Sequence, residues 1–586
     1  MASGPRRRNE GGRVPQTEAD REQLAWWDEA RFGMFIHWGL YSVSAGKWQG
    51  RDVPGIASWL MHRDRVPAAE YANLAHGFNP VDFDAAQCVR LARDAGMQYL
   101  VFTAKHHEGF SMYDSPASDY DIVDATPFGR DPIAELAAAC RADGMPLGFY
   151  YSQDQDWHHP DGFGNDWDFP DAAVKDFDRY LGEKVKPQLR ELLTNYGPIC
   201  LIWFDTPYSI SKAQSEDLLA FVREFQPDCL VSGRIGNGVG DYGSLGDNQI
   251  PMGVVEGAWE TPATMNDTWG FKIEDHNWKS TTMLLHLLAE LTGKGVNYLL
   301  NIGPAPEGDI PEPSILRLGE IGEWMRVNGE AIRGTSPNPF RHPFDWGALT
   351  IKGDTLFLLF TSWPGERFVL HGLCNEVKHA RLLADPGTAV EIHQSRDQAR
   401  QLDILELALP PGSPDPHVGV VALELDSEPD VDPLPLQQPD GRMTLIPSLA
   451  TIDGPRPPEG IRLAPSGLTE DWLDNSNSLT WRIRIADPGR YAVQVVTGTL
   501  RHASEWQGGH GVAVNIAGAT LEADIAPDEK IDSPRASYFP EFATRMGSVT
   551  VEQAGIHELV LEARNVDPSA TGGLAVAAVI LSPDPH

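Results

Sequence analysis

Several short apolar runs of this sequence end in a side chain that can do chemistry. The run CLIWFD ends in Asp205, FIHWG contains His37, and TAKHHEGF contains His106 and His107. A carboxylate at the mouth of a buried strand can attack a substrate or activate water, and histidines beside it can bind hydroxyl groups. A single aspartate in this position is more often a helix cap or a turn residue, but several such strand ends together favour an active site.

Further carboxylates follow along the chain. Arg234 stands in VSGRIGNG, and Glu256 and Glu260 stand in VVEGAWETPATMNDTWGF. Hydrolysis of a glycoside needs two carboxyl groups, because one attacks or activates water and the other protonates the leaving oxygen. Carboxylates from different strand ends therefore favour glycoside chemistry.

The elements that position these residues alternate between strand and helix from about residue 30 to 303. Helical periodicity recurs between the apolar runs, and start and stop signals mark one helix at Asp131 and Gly144 and another at Ser280 and Gly293. We predict a (β/α)8-like barrel rather than a doubly wound sheet, because no GxGxxG motif follows an early strand. The predicted strands are residues 31–38, 98–104, 147–152, 200–205, 229–234 and 298–302.

After Pro337 the sequence changes to short alternating strands without a long helix. These strands predict a β-sandwich. The Pro- and Asp-rich stretch DSEPDVDPLPLQQPDGR after it is typical of a stiff linker, and the strands beyond the linker predict a second β-sandwich. Such a module is either a carbohydrate-binding domain or a structural support. The predicted segments are a disordered tail (1–24), the catalytic barrel (25–336), a β-sandwich (337–426), the linker (427–442) and a C-terminal β-sandwich (443–586).

Composition narrows the function classes. The formal net charge of −36 on 586 residues repels nucleic acids and anionic lipids, so we expect neither a nucleic-acid nor a membrane partner. The five cysteines are widely spaced in apolar segments and predict reduced thiols. The N-terminal sequence lacks the apolar segment of a signal peptide, so a cytoplasmic enzyme is the default expectation and a secreted one stays open.

A longer pattern runs through the same region. It consists of WWDEARFGMFIHWGLYSV (26–43), EYANLAHGFNPVDFDA (70–85), YLVFTAKHHEGFSMYDS (99–115), GFYYSQDQDW (148–157), LIWFD (201–205), WETPATMNDTWGF (259–271) and GVNYLLNIGPAPEGDIP (295–311). Together these stretches resemble glycoside hydrolase family 29, the α-L-fucosidases. The likeness covers roughly residues 25–335 and continues more weakly to about residue 426.

The resemblance implies removal of terminal α-L-fucose from fucosylated glycans by a retaining double displacement, without a cofactor and with Asp205 as the nucleophile. Ser58, just before Trp59, departs from part of the family, which has a glutamate there, and this affects one hydroxyl contact. The predicted substrate-binding residues are His37, Trp48, Trp59, His106, His107, Tyr151, Trp203, Arg234 and Trp269.

The acid/base position differs between branches of the family, so the resemblance does not transfer it as firmly. Glu260 in the WET motif is the first choice, because Trp259 and Trp269 would give it an apolar setting that raises its pKa and keeps it protonated. Glu256 and Asp247 are the alternatives for this role. Their other interpretations are a salt-bridged wall residue for Glu256 and a loop turn for Asp247.

Three other functions are open at this point. A barrel that binds fucose without catalysis keeps the fold but leaves the paired carboxylates unexplained, and an α-L-galactosidase-like activity would use the same pocket. We predict no metal, because adjacent strand histidines point to opposite faces and no HxH or HExxH spacing is present. The third function, a metal-dependent hydrolase, would draw its ligands from His37, His106, His107, His158 and His159. Linkage preference and oligomeric state, including a homo-oligomer, also stay open.

Overall fold

The computed structural model describes residues 17–500, 503 and 505–584. Within it the chain forms two compact units. The first contains the chain up to Asp247 with Glu256–Leu284 and Asn297–Gly329, and the second contains Asn248–Val255, Leu285–Val296 and the chain from Glu330 onward. The predicted N-terminal tail lies outside the described residues as far as residue 16.

The first unit is built on an eight-stranded parallel sheet, which confirms the predicted (β/α)8-like barrel. The strand order in the sheet is β5-β4-β3-β2-β1-β8-β7-β6. A parallel bridge between Ser232 and Tyr242 joins the two edge strands and closes the sheet. The strands are β1 (Phe32–Ile36), β2 (Leu100–Lys105), β3 (Leu147–Tyr151), β4 (Leu201–Phe204), β5 (Leu230–Val231), β6 (Gly243–Ser244), β7 (Trp259–Thr264) and β8 (Val296–Ile302).

Helices alternate with most of these strands, but not on the side where the sheet closes. Between β5 and β7 the only helical element is the 3₁₀ turn Gly233–Ile235, which precedes β6. We call residues 230–244 the seam of the barrel. The longer helices between residues 18 and 328 are α1 (Glu18–Ala30), α2 (Ala85–Asp94), α3 (Pro132–Asp143), α4 (Lys186–Asn195), α5 (Lys212–Phe225), α6 (Thr281–Gly293) and α7 (Glu312–Asn328).

Local signals explain where these elements begin and end. Every residue of β1 to β4 is buried, as expected for parallel strands that are covered on both faces. Asp131 caps α3 through the amide of Ala134, and Gly144 ends it in the left-handed region at φ 75, which confirms the predicted bounds. The prediction of a tail as far as residue 24 is wrong, because Thr17 forms a capping box that starts α1 at Glu18.

A sandwich of two antiparallel sheets follows in the second unit, and the predicted all-β architecture is confirmed. Apolar side chains such as Leu358, Leu370 and Leu405 share one core between the sheets. The five-stranded sheet contains Ser336–Pro337, Gly347–Lys352, Thr355–Phe360, Val377–Leu382 and Gly419–Leu425, and the three-stranded sheet contains Arg367–His371, Glu391–Asp397 and Leu402–Ala408.

The C-terminal part of the second unit is another sandwich, made of two five-stranded sheets. Trp481 and Leu559 are fully buried in its core. One sheet contains Met443–Leu445, Gly489–Gly498, Glu529–Lys530, Glu541–Val551 and Val576–Pro583, and the other contains Thr451–Asp453, Ser478–Ile485, Gly511–Ile516, Ala519–Asp524 and Gly555–Asn565.

The stretch 427–442 runs between the two sandwiches and is packed against both. Leu436 is 3% exposed and shares an apolar cluster with Leu402 and Ala486. The side chain of Gln437 accepts a 2.9 Å hydrogen bond from the amide of Ala486. The segment is therefore an ordered part of the second unit, although its composition predicts a linker.

The five cysteines are free thiols, and Cys374 is the exposed one. Among the helices that the structure describes, none is both long and apolar enough to cross a membrane.

Candidate active site

Asp205 is the first residue after β4 and lies at the C-terminal end of the barrel strands. Its Oδ1 accepts a 2.9 Å hydrogen bond from Nη1 of Arg234, and its Oδ2 accepts a 2.8 Å bond from the hydroxyl of Tyr150. Nε2 of His107 lies 3.4 Å from the same Oδ2. The amide of Asp205 donates to Oε1 of Gln153 at 3.0 Å, which fixes the backbone as well.

This setting keeps the carboxylate ionised. Burial alone would raise the pKa of Asp205, but the neighbouring His107 and the charge of Arg234 outweigh it and hold the pKa well below the ordinary value of 3.8. The residue is 8% exposed, so an anion is kept at a nearly dry position. A permanently charged oxygen of this kind can act as a nucleophile.

Arg234 joins two carboxylates. While Nη1 contacts Asp205, Nη2 contacts Oδ1 of Asp247 at 2.6 Å. The same guanidinium donates to Oγ of Ser244 and to the carbonyl of Leu245, both at 2.9 Å. The carboxylate of Asp247 is 47% exposed, whereas that of Asp205 is 11% exposed. One carboxylate of the pair thus faces solvent and the other is held inside.

The alternation along β3 decides which tyrosine reaches the site. Tyr150 points into the barrel and contacts Asp205, whereas the hydroxyl of Tyr151 donates to Oε1 of Gln188 on α4 at 2.8 Å. The prediction that Tyr151 lines the pocket is wrong, because neighbouring residues of a strand face opposite sides. Tyr150 was missed, because the alternation rule shows that the two tyrosines face opposite sides but not which of them faces inward.

His37 is held in one orientation. Its Nδ1 lies 2.7 Å from Oδ1 of Asn301, and Nδ2 of Asn301 donates to the carbonyl of Trp269 at 2.7 Å. Since the amide nitrogen is used by Trp269, the amide oxygen must accept from Nδ1, and Nε2 of a neutral His37 is left as an acceptor. Burial lowers the pKa of His37 to about 4. The ring of Trp269 lies 4.9 Å from that of His37.

His106 and His107 form the next part of the site, with ring centroids 4.3 Å apart. Nδ1 of His107 donates to Oγ of Ser152 at 2.6 Å, because that hydroxyl itself donates to a carbonyl. Nδ1 of His106 is buried and has no hydrogen-bond partner among the described residues. Burial and then the charge of His107 lower the pKa of His106 well below its ordinary value. A neutral, unpartnered ring nitrogen can bind a ligand hydroxyl.

Three of the predicted tryptophans take different positions. Trp59 packs edge-on against His107 with centroids 5.3 Å apart. The ring of Trp203 lies beneath the guanidinium of Arg234 at 4.7 Å, inside the barrel. Trp48 lies on the hairpin of Lys47–Trp48 and Arg51–Asp52, and its ring stacks on that of Tyr71 with centroids 6.2 Å apart.

Glu260 does not lie where the sequence predicts. It is the second residue of β7 rather than a strand end, and it is fully buried. Its Oε1 accepts from Nε1 of Trp203 and its Oε2 from the hydroxyl of Tyr99, both at 2.7 Å. Burial raises the pKa of Glu260 to about 7, as predicted for an apolar setting. The prediction that Glu260 stands at a strand end is wrong, because β7 begins at Trp259 and continues to Thr264. The polar residues of β7 gave no strand pattern in the sequence.

Glu256 lies on an exposed part of the chain, and its carbonyl accepts a 2.9 Å hydrogen bond from Nε1 of Trp259.

For the metal alternative, no group of three histidines, cysteines or carboxylates suited to hold an ion occurs in the part of the chain that the structure describes.

A buried carboxylate beside an exposed one, at the C-terminal end of barrel strands, is an arrangement that suits the chemistry of a glycoside hydrolase. Sequence comparison agrees: the family model for α-L-fucosidase matches residues 8–330. The chain belongs to this family, glycoside hydrolase family 29, as its motifs predict.

Individual relatives support the same assignment. The tissue α-L-fucosidase of Mus musculus is 30% identical over 389 residues, which cover 60% of this chain and 81% of the relative. An α-L-fucosidase from Branchiostoma floridae is 32% identical over 58% of this chain and 80% of its own length.

Solved structures extend the likeness beyond the barrel. The α-L-fucosidase from Vibrio sp. strain EJY3 matches 98% of this chain and 99% of its own, with 31% identity and a TM-score of 0.84. Isoenzyme 1 from Paenibacillus thiaminolyticus matches 70% of this chain and all of its own, with 36% identity and a TM-score of 0.63.

Proposed function

We propose that the protein is a retaining exo-glycosidase that removes terminal α-L-fucose from fucosylated glycans through a covalent fucosyl-enzyme. The observation that carries the proposal is the single guanidinium of Arg234, which holds Asp205 and Asp247 side by side. Retaining enzymes place their two carboxyl groups about 5–5.5 Å apart, closer than inverting enzymes do. Two carboxylates on neighbouring nitrogens of one arginine suit the retaining arrangement.

We assign the roles of the two carboxylates from the environment of each. Asp205 accepts from Arg234 and Tyr150 and lies beside His107, so it stays anionic and acts as the nucleophile. The carboxylate of Asp247 is 47% exposed and shares Arg234 with the nucleophile, so it can exchange protons with solvent and pass one to a leaving group beside Asp205. This assigns the acid/base role to the alternative Asp247 rather than to Glu260, whose carboxyl has no exposed surface.

The reaction then follows in two displacements. Asp247 donates its proton to the glycosidic oxygen while an oxygen of Asp205 bonds to C1, and the bond from C1 to the leaving oxygen breaks. In the second step the Asp247 carboxylate takes a proton from water, the water oxygen bonds to C1, and the bond to Asp205 breaks. Fucose leaves with its original configuration, and both carboxyl groups return to their starting states.

Neutral imidazoles suit the binding of the sugar. Nε2 of His37 is an acceptor that can bind a fucose hydroxyl, and the ring of His106 lies beside it with centroids 5.9 Å apart. Trp59 and Trp269 add flat apolar faces beside these rings. The proposed pocket thus selects an uncharged sugar.

The test combines two variants with azide. Asp205→Ala should lower kcat on 4-nitrophenyl α-L-fucoside by roughly 10⁴- to 10⁶-fold, and azide should restore turnover by forming a fucosyl azide of inverted configuration. Asp247→Ala should retain activity on aryl fucosides with good leaving groups, and azide should give the product of retained configuration. Near-normal turnover by folded Asp205→Ala would remove Asp205 from the role.

A further inference from the structure

The chain changes unit directly after Asp247. The stretch Asn248–Val255 belongs to the second unit, and the chain returns to the first at Glu256. We call Asn248–Val255 the anchor segment. A short piece of the second unit is therefore inserted between the proposed acid/base and β7.

Three hydrogen bonds hold the anchor segment within the second unit. The amide of Met252 donates to the carbonyl of Ser466 at 2.8 Å. Nζ of Lys294 donates to the carbonyl of Pro251 at 2.7 Å, and the amide of Val255 donates to the carbonyl of Lys294 at 3.1 Å. Both the C-terminal sandwich and the end of α6 thus hold its backbone.

Apolar packing fixes the same segment. Met252 is 2% exposed and belongs to a cluster with Ile446, Leu468 and other residues of the C-terminal sandwich. Gly253 lies so close to this sandwich that a Cβ there would be 2.2 Å from Cδ1 of Ile446. A Cβ on Gly467 would lie 2.9 Å from Cβ of Met252. At this density the segment has no room to shift without moving its neighbours.

We propose that the anchor segment positions Asp247 for proton transfer, with Met252 and Gly253 as its positioning residues. The inference rests on the proposed acid/base role of Asp247. A general acid works only within hydrogen-bond reach of the leaving oxygen, and small misplacements are costly. Arg234 holds the carboxylate of Asp247. The anchor segment is the backbone that directly follows Asp247, and its packing fixes that end of the residue.

This role has a kinetic signature that loss of fold lacks. A displaced acid harms substrates with poor leaving groups, because good leaving groups depart without a proton. General destabilisation lowers the amount of folded enzyme and slows every substrate equally. The ratio of kcat/KM on 2-chloro-4-nitrophenyl α-L-fucoside to kcat/KM on a fucosylated disaccharide separates the two effects.

The experiment uses the full chain and a second-site rescue. Gly253→Ala should raise that ratio roughly tenfold or more, a fraction of the 10² to 10⁴ that general acid catalysis supplies. Ile446→Val removes the Cδ1 atom that the new methyl group would strike, so the double variant should return the ratio to the wild-type value. If Gly253→Ala does not fold, Met252→Ala decides the outcome by the same ratio.

Two further variants separate the possible outcomes. Gly419→Ala is the matched control, since its Cβ would meet Cζ3 of Trp363 at 2.7 Å in the other sandwich, and it should leave the ratio unchanged. Equal slowing of both substrates by Gly253→Ala, or no rescue by Ile446→Val, would overturn the inference alone. If Asp247→Ala itself leaves the ratio unchanged, the proposed acid/base role fails, and the positioning role fails with it.

Discussion

The indole nitrogen of Trp203 donates a 2.7 Å hydrogen bond to Oε1 of Glu260, inside the barrel. The carboxyl of Glu260 is fully buried and therefore belongs to the barrel interior that supports the site residues. Removing a buried acceptor leaves the donors around it unsatisfied, so this contact gives Glu260 a structural role.

Glu260→Gln should change stability in a pH-dependent way. The pKa of Glu260 is about 7 in the fold against an ordinary 4.5, so the folded chain binds this proton more tightly than the unfolded chain. The stabilisation from the proton is complete below pH 4.5 and is lost as the pH rises to about 7, at about 1.4 kcal/mol per pH unit. The melting temperature of Glu260→Gln, measured against wild type, should rise across this window.

The same variant should slow activated and natural substrates by equal factors, because it disturbs the barrel interior and not proton transfer. A melting-temperature difference that stays flat between pH 4.5 and 7 would contradict the buried, protonated carboxyl. Selective loss of activity on natural fucosides would return the acid/base role to Glu260.

Tyr150→Phe should reduce activity more than stability. The variant removes a hydrogen bond to the charged Asp205, and such bonds contribute about 1.5–3 kcal/mol. We expect kcat/KM to fall by roughly 10- to 100-fold. Tyr151→Phe is the matched control on the same strand, because its hydroxyl contacts Gln188 instead. It should lower the melting temperature and leave kcat/KM within about twofold, and equal kinetic losses in both variants would contradict the assignment.

A chain that ends at Arg442 should melt at a lower temperature than the full chain. Truncation there removes Ala486, which packs on Leu436, and Arg484, which forms a 2.8 Å ion pair with Asp432. Thermal unfolding followed by circular dichroism measures the change. Arg484→Ala in the full chain shows how much of it comes from the ion pair. An unchanged melting temperature on truncation would mean that the last sandwich is independent of the rest.

The barrel could be predicted from sequence only where its strands are apolar. β1 to β4 appear as apolar runs because both faces are buried, and their predicted positions agree within a few residues. β6 and β7 were missed. β6 has two small residues, and β7 reads WETPAT, in which Glu260 is buried by contacts with Trp203 and Tyr99, both distant in sequence. No local pattern contains that information.

The same limit applies to the site. The residue types at strand ends indicated Asp205, but two adjacent tyrosines in β3 give no polarity contrast to show which one faces inward. The proposed role of Asp247 depends on its contact with Arg234, which lies 13 residues away in sequence and is joined to it only in the folded chain. In the stretch 427–442 the Pro and Asp content masked the packing of Leu436, because composition reports average exposure and not individual contacts.

The seam of the barrel has a thermal consequence. Its strands β5 and β6 are two residues long and are joined by the bridge between Ser232 and Tyr242, so few ladder hydrogen bonds oppose local opening there. Arg234 lies on the seam, and opening would separate it from Asp205 while the other strands stay paired. Heating should thus inactivate the enzyme below the temperature at which the barrel unfolds, and brief overheating should be reversible.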